Sequence, residues 1–355
     1  MKIISDFNKD TQSIKPKPGS YEWWYFDACS EDGYTLVVIF YDGNPFSRKY
    51  IEQITKNNQS QASDFPAISI SLYKNSQPIF YSFEEVAAVD AEFSKKIPKG
   101  KIGNNRFEAS IKAESAQYQI TLDQRVPNGD SIHAELSFSS LVQDLSEFPD
   151  ENRSGESDHV WNLLMPKCKV NGKVSVEGFH EEEFDFEGTG YHDHNTGLEP
   201  MKESFREWYW GRYHTNDATL IYYLMFENNE WDKKAWLISD DGEMIYLDDE
   251  IRLLSKGYSR FGLYSARSIQ FAHGDTEAFL QLDNLIDNGP FYQRFGGSLL
   301  LNKNGTMYRA KGISEYIYPS RIYNRMFWPL VNMRIKYPGK AHWVQKSPKL
   351  YRWTW

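Results

Sequence analysis

Tyr34-Thr-Leu-Val-Val-Ile-Phe-Tyr41, closed by Asp42-Gly-Asn-Pro45, is the stretch that decides the fold. β-Branched and aromatic residues suit a pleated, half-buried surface, and Asp-Gly and Asn-Pro are turn signals. The same grammar recurs on both sides. Ala67-Ile-Ser-Ile-Ser-Leu-Tyr73 alternates with period two, then turns at Lys74-Asn-Ser76 into Pro78-Ile-Phe-Tyr-Ser-Phe83. Phe107–Ala113, Tyr118–Leu122 and Ile132–Phe138 continue the series. Asp144 to Asp158 is polar, contains Pro149 and Gly155, and reads as a loop or linker. Strands then resume at Val160–Met165, Cys168–Val170, Lys173–Glu177, Glu183–Glu187, Thr219–Phe226, Ala235–Ile238, Ala278–Leu282 and Gly297–Leu301. Short strands with turn signals roughly 8–12 residues apart are the signature of an antiparallel sandwich or barrel. No stretch carries a long 3.6-residue period, and Asn324–Trp328 reads as a short helix at most. A chain of 355 residues exceeds one ordinary core. The expected class is all-β with few short helices, in two consecutive domains, 1–155 and 156–355.

Composition narrows the function. Aromatic residues make up 16 % of the chain; most fit a pleated, half-buried strand surface, and the remainder are candidates for a cavity wall. Net charge is −9 with no Lys/Arg-rich run, which argues against a nucleic-acid footprint. Arg321 to Arg352 is locally basic and aromatic; it reads as a solvated domain end, with contact to an anionic surface as the alternative. Two cysteines, Cys29 and Cys168, make neither a disulfide framework nor a thiolate zinc site. The N-terminus lacks the apolar core of a signal peptide, and no apolar run is long enough to span a bilayer. A soluble cytoplasmic protein is expected.

Chemistry concentrates in Gly188-Thr-Gly-Tyr-His-Asp-His-Asn-Thr-Gly197, in Trp208-Tyr-Trp-Gly-Arg212 and in Tyr21-Glu-Trp-Trp-Tyr-Phe26. Ionisable groups among indoles suggest an aromatic-walled pocket for a small, largely apolar ligand. On a strand, His192 and His194 share one face, and Asp193 and Asn195 the other. Three readings stay open for this group. It binds zinc with His180 or His214 as a third ligand, although no ligand spacing reinforces the pair. It does general acid–base work. Or it is a polar knot tying a turn at Gly188–Gly190 to another at Gly197. Glu22 among indoles has two readings: a carboxyl raised by desolvation that donates a proton, or, more ordinarily for such glutamates, one that accepts hydrogen bonds or pairs with an arginine such as Arg212. Trp208 and Trp210 face one side of their strand, for core packing or for ligand stacking. No Gly-x-Ser-x-Gly elbow, phosphate-binding glycine loop or dinucleotide fingerprint is present, which points away from a nucleotide or nicotinamide enzyme.

Glu22-Trp-Trp-Tyr25, His159-x-Trp161-Asn162, Gly188-x-Gly-Tyr-His-Asp-His-Asn195 and Trp208-x-Trp210-Gly-Arg212 together resemble the carotenoid 1,2-hydratase (hydroxyneurosporene synthase) superfamily. The resemblance implies two consecutive lipocalin-like β domains, with a ligand pocket between or within them. It brings in the lipocalin-like Diels–Alderases of polyketide pathways and, more distantly, tocopherol cyclase. It implies long, apolar, unsaturated substrates and no metal or redox cofactor. His194 matches the family histidine. Thr196 stands where the hydratases carry tryptophan. Tyr222 matches a family tyrosine, but Leu224 then occupies the position of the aspartate held to be the acid. Ile221, Tyr223 and Met225 offer no carboxylate either.

Protonating an isolated alkene demands a strong, placed acid, so this loss argues against plain hydration. Cyclisation needs less, because holding reacting ends together supplies on the order of 7–11 kcal/mol in favourable cases. The expectation is a cofactor-independent enzyme that folds and cyclises an apolar polyene, polyketide or isoprenoid. His194, Tyr222, Asp193 and Glu22 are its candidate catalytic residues. Trp23, Trp24, Tyr25, Trp161, Asn162, His192, Asn195, Trp208, Trp210 and Arg212 are its candidate substrate-binding residues. No metal is expected, and substrate uptake suggests a transient membrane-surface contact. Hydration or proton-initiated cyclisation, with Glu22 or Asp193 as substitute acid, is the alternative. A non-catalytic lipocalin-like carrier is the third reading.

Overall fold

The computed structural model describes residues 1–56, 60–112, 115–142, 145, 148 and 158–355. Ala113 and the expected linker from Asp144 to Asp158, apart from Leu145, Phe148 and Asp158, lie outside the described residues. The chain is all-β, with two curled half-barrel sheets, few short helices and a lipocalin-like architecture. It divides into a unit of Met1–Ser204 with Ile322–Trp355 and a unit of Phe205–Arg321.

The first sheet begins with β1 (Lys2–Ile4), β2 (Tyr21–Ser30), β3 (Tyr34–Tyr41), β4 (Ala67–Lys74), β5 (Gln77–Glu85) and β6 (Ala91–Phe93). It continues with β7 (Lys99–Ile102), β8 (Asn105–Lys112), β9 (Ser115–Arg125), β10 (Ser131–Ser140), β11 (His159–Glu177) and β12 (Glu182–Gly197). The order is β5-β4-β3-β2-β12-β11-β10-β9-β8-β7-β6, with β1 added parallel to β11. The residue-155 boundary read from the polar linker therefore falls inside this sheet's strand series. β12 pairs with β2 over ten consecutive positions, from Gly188↔Ser30 to Gly197↔Tyr21. Linker composition marks where the chain turns polar; it does not say which edge the next strands will pair with.

Two local readings also change. The three short strands expected between residues 160 and 177 are one 19-residue strand, β11, whose register shifts between Leu163 and Cys168, around Pro166. Proline is accommodated in a sheet at such irregularities. Gly188, Gly190 and Gly197 are not turns but members of β12. A Cβ at Gly188 would meet the Cys29 carbonyl at 2.1 Å, and one at Gly190 the Asp27 carbonyl at 2.5 Å, so glycine lets β2 approach closely.

The first core is built by alternation: Trp24, Phe26, Phe40, Ile70, Tyr118 and Phe138 all turn inward. The second sheet comprises β13 (Glu207–His214), β14 (Ala218–Glu227), β15 (Glu230–Ser239), β16 (Met244–Tyr246) and β17 (Glu250–Leu254). A small hairpin, β18 (Gly257–Tyr258) and β19 (Tyr264–Ser265), precedes β20 (Ser268–His273), β21 (Thr276–Asn288), β22 (Tyr292–Lys303) and β23 (Thr306–Ile317). The sheet order is β16-β15-β14-β13-β23-β22-β21-β20-β17. The helices are α1 (Arg48–Thr55), α2 (Met201–Ser204), α3 (Ser320–Tyr323), α4 (Trp328–Arg334) and α5 (Pro348–Trp353). The short helix expected at Asn324–Trp328 is a 3-10 turn, Arg325–Phe327, leading into α4. Among the described residues, no helix is long and apolar enough to cross a membrane.

Gly211 on β13 lies opposite Tyr222 on β14. A Cβ there would sit 2.7 Å from the Tyr222 ring and hydroxyl and 2.8 Å from the Ile313 carbonyl oxygen. Gly211→Ala is expected to destabilise the fold by about 1–3 kcal/mol through overpacking. Urea unfolding checks this, and an unchanged midpoint would contradict the packing described.

Candidate active site

β12 lies between β2 and β11, and its alternation separates the His-Asp-His-Asn run into two environments. His194 stacks on its cross-strand neighbour Trp24, with ring centroids 4.5 Å apart, and His192 stacks on Phe26 at 4.0 Å. Both imidazoles face the first unit's core. Glu22, two residues before Trp24, faces the same way.

Residues 10–19, which lead into β2, bring further charge to this face. Glu22 Oε1 accepts from His194 Nε2 and from the Ser13 amide, each at 2.9 Å. Lys15 Nζ lies 2.5 Å from Glu22 Oε2 and 2.6 Å from Asp42 Oδ2. Gln12 donates to that same Asp42 oxygen at 2.6 Å. Asp10 Oδ1 is 3.3 Å from His194 Nδ1, and its Oδ2 is 3.3 Å from His192 Nε2. Tyr118 donates to Asp10 Oδ2 at 2.5 Å. The Tyr25 carbonyl can only accept, so His192 Nδ1, 2.9 Å away, carries the hydrogen.

Every side chain of this ionic group is buried, Lys15 included. Burying charges is costly unless each is paired and hydrogen-bonded, and here the pairing prevails. Burial alone would raise the Glu22 carboxyl, but His194 and then Lys15 outweigh it and hold it below its usual 4.5. Burial alone would lower His194, but Glu22 and then Asp10 hold it above 6.5. Burial opposes the Lys15 charge too, and Glu22 and Asp42 overcome it, raising its pKa. Of the two readings of Glu22, the structure shows the hydrogen-bond acceptor and not the raised carboxyl: its pKa is lowered. Its cationic partners are Lys15 and His194, where the sequence suggested an arginine such as Arg212.

The opposite face of β12 carries a second group. Asp193 Oδ2 accepts from Trp161 Nε1 at 2.8 Å and from the Tyr191 hydroxyl at 2.7 Å. Its Oδ1 accepts from Asn195 Nδ2 at 2.8 Å. The Asn195 amide oxygen is buried and has no hydrogen-bond partner among the described residues. Tyr25 pairs in register with Asp193, and Trp23 with Asn195. Trp23 stacks on Tyr21, whose hydroxyl bonds His159 Nδ1 at 2.9 Å. Burial lowers His159 to about 3, so its ring is neutral. Asn162 gives both ends of its amide to the Asp6 backbone, tying the N-terminal segment to β11.

In the second unit, Trp208, Trp210 and Arg212 share one face of β13, and all three are buried. Tyr222 lies on the opposite side, in that unit's core with Tyr209, Tyr213 and Leu224. Tyr222 and Tyr213 both bond Ser314 Oγ at 2.7 Å. Burial pushes the Tyr222 phenol well above its ordinary value. Strand alternation thus turns Tyr222, a candidate catalytic residue, and the candidate binding residues Trp208 and Trp210 to opposite faces of the sheet.

The two suggested third zinc ligands are His180 and His214. His180 sits at the turn joining β11 and β12, and His214 belongs to the second unit, bonded to Thr219. Among the described residues, the side chains whose ligand atoms converge are Asp248, Asp249 and His273, in the second unit. Asp10, Lys15, Asp42 and Tyr118 are site residues that sequence reading missed. The Asp42 turn was legible only as a turn, and Lys15-Pro-Lys-Pro-Gly19 carries no strand or helix pattern.

The family described as carotenoid hydratase CrtC matches residues 114–346 of this chain. The chain belongs to the carotenoid hydratase CrtC family. This CrtC-family chain is 27 % identical to the hydroxyneurosporene dehydrogenase of Chlorobaculum tepidum, over 96 % of this chain and 93 % of that protein. It is 24 % identical to the acyclic carotenoid 1,2-hydratase of Thiocapsa roseopersicina, over 59 % of this chain and 48 % of that protein, about half its length. In fold it is similar to CghA in complex with Sch210972 (TM-score 0.61, 12 % identity, 89 % of this chain and 96 % of that one). It is also similar to kievitone hydratase from Nectria haematococca (TM-score 0.56, 11 % identity, 88 % and 93 %).

The Glu22–His194 pair sets a pH window in this CrtC-family chain. A raised histidine contributes stability fully below 6.5 and loses it as pH rises through the folded value. A lowered carboxyl contributes fully above 4.5 and loses it as pH falls. His194→Gln is expected to cost about 3–5 kcal/mol between those limits, and less on either side. Denaturant titrations of both proteins across pH measure this; a pH-independent difference would contradict it.

Proposed function

We propose that this chain is an enzyme that binds an apolar polyene and cyclises or isomerises it by holding it in a reactive fold, without an added cofactor. Family membership and the carotenoid names of its relatives support an unsaturated, apolar substrate. The observation that carries the finer reading is the ionised Glu22. His194 and Lys15 hold that carboxylate charged, and Leu224, at the position of the family's expected acid, is a buried core residue. A histidine whose pKa is raised is a weaker acid, not a stronger one, which suits positioning better than alkene protonation.

On this reading, His194 and Glu22 are positioning residues that lock β12. Asp193, steadied by three donors, and Asn195, with an unpartnered buried oxygen, are the polar groups assigned to the substrate side. Tyr25, Trp23 and Trp161 supply the accompanying aromatic surface. Tyr222 is assigned to the second unit's core network.

Water addition is the second reading, favoured by the hydratase names of the relatives and of the family. Asn195 would then hold the water and Asp193 would orient or activate it.

The test is incubation of the pure protein with an acyclic polyene in H₂¹⁸O, read by chromatography and mass spectrometry. Cyclisation predicts a product of unchanged mass with altered retention and absorbance. A product heavier by one H₂¹⁸O would overturn it in favour of hydration, and unchanged polyene bound to the protein would favour a carrier. Asn195→Ala is expected to lower kcat/KM about tenfold or more with the fold intact, by removing the placed acceptor.

A further inference from the structure

Residues 320–355 contain eight Lys or Arg and no Asp or Glu, in a chain whose net charge is −9. Part of that positive charge is used internally. Lys336 pairs with Glu84, Arg352 with Asp130 at 2.6 Å, and Arg334 bonds the Thr354 carbonyl and the Tyr81 hydroxyl. These contacts, with Tyr351 and Trp355 packed on Tyr81, fix the segment to the first unit. Lys340, Lys346 and Lys349 are different: they are exposed and pair with no carboxylate among the described residues.

The outward face they share is unusual. From the 3-10 turn Trp343–Lys346 through α5, the exposed positions are Trp343, Lys346, Lys349, Leu350 and Trp353. Trp343 and Lys346 are three apart on the 3-10 turn, and Lys349 and Leu350 lie four and three residues before Trp353 on α5, so each element turns its exposed members to one side, while Val344, Gln345, Tyr351 and Thr354 are buried beneath. A surface helix normally turns polar residues outward. Here Trp343 is 64 % exposed, Trp353 56 % and Leu350 43 %, with lysines between them. Among the described residues, these two are the exposed members of the chain's eleven tryptophans.

We propose that this stripe, Trp343–Trp353, docks the protein on an anionic lipid bilayer surface. Tryptophan prefers the membrane–water interface, and lysines at that depth meet anionic headgroups. Complementary charge favours a bilayer over a second copy of a chain that is itself acidic. The contact concerns where the protein sits and does not depend on which reaction it performs.

The full chain is mixed with phosphatidylcholine vesicles, with and without phosphatidylglycerol, at low and high salt. Co-sedimentation and tryptophan emission are read. Binding is expected with phosphatidylglycerol, weakened by salt, with a blue-shifted emission. Lys346→Gln/Lys349→Gln is expected to bind roughly thirtyfold more weakly. Trp343→Ser/Trp353→Ser is expected to lose the blue shift, and both variants should keep the wild-type circular dichroism. Failure to bind anionic vesicles, equal binding to both vesicle types, or unchanged binding by the folded variants would overturn the proposal. A dimer that either folded variant abolishes, without vesicle binding by the wild type, would assign the stripe to a second copy instead.

Discussion

The buried contact between Glu22 and His194 is the interaction on which the first unit's arrangement depends. It joins β2 to β12 through side chains as well as through the ladder. A strand's faces alternate strictly, so a one-residue slip would send every side chain to the wrong side. His194 held inward by Glu22 and Asp10 fixes Asp193 and Asn195 on the other face. The polar group assigned to substrate is thus oriented by an ionic group it does not touch. Such a group tolerates no missing member, because a half-satisfied network in a low-dielectric core costs more than an apolar one. Residues 10–19 complete it with Asp10 and Lys15, which makes an irregular stretch of chain as necessary as a strand.

Much of this architecture was legible because period two is a local property. The β3 run, the Ala67–Tyr73 alternation and the separation of His192 and His194 from Asp193 and Asn195 all follow from neighbours in sequence. What local pattern cannot supply is the partner. Asp10 and His192 are 182 positions apart, and Glu22 and His194 172. Nothing near Asp10 or Lys15 announces a histidine that far away. The same limit explains Glu22, whose environment is set by a lysine and a histidine rather than by the adjacent indoles that suggested a raised pKa.

Strand pairing also decides which alternate face is the inner one. Tyr222 and Trp210 are both candidate site residues, yet alternation on β13 and β14 puts Tyr222 with Tyr209 and Tyr213 in the second core. Ser314, on β23, draws the two phenols together from about a hundred residues away, an arrangement no motif encodes. The 155 boundary falls inside one sheet for a related reason: β11 pairs with β10 and β12 with β2, both from before the linker.

Glu22, with Asp10, raises the His194 pKa above 6.5 against the effect of burial. Nitrogen-15 NMR of the histidine-labelled protein, with His194 assigned by substitution, tests it directly. A titration above 6.5, and a fall in that value in Glu22→Gln, are expected. A His194 titration at or below 6.5, or one indifferent to Glu22→Gln, would contradict it.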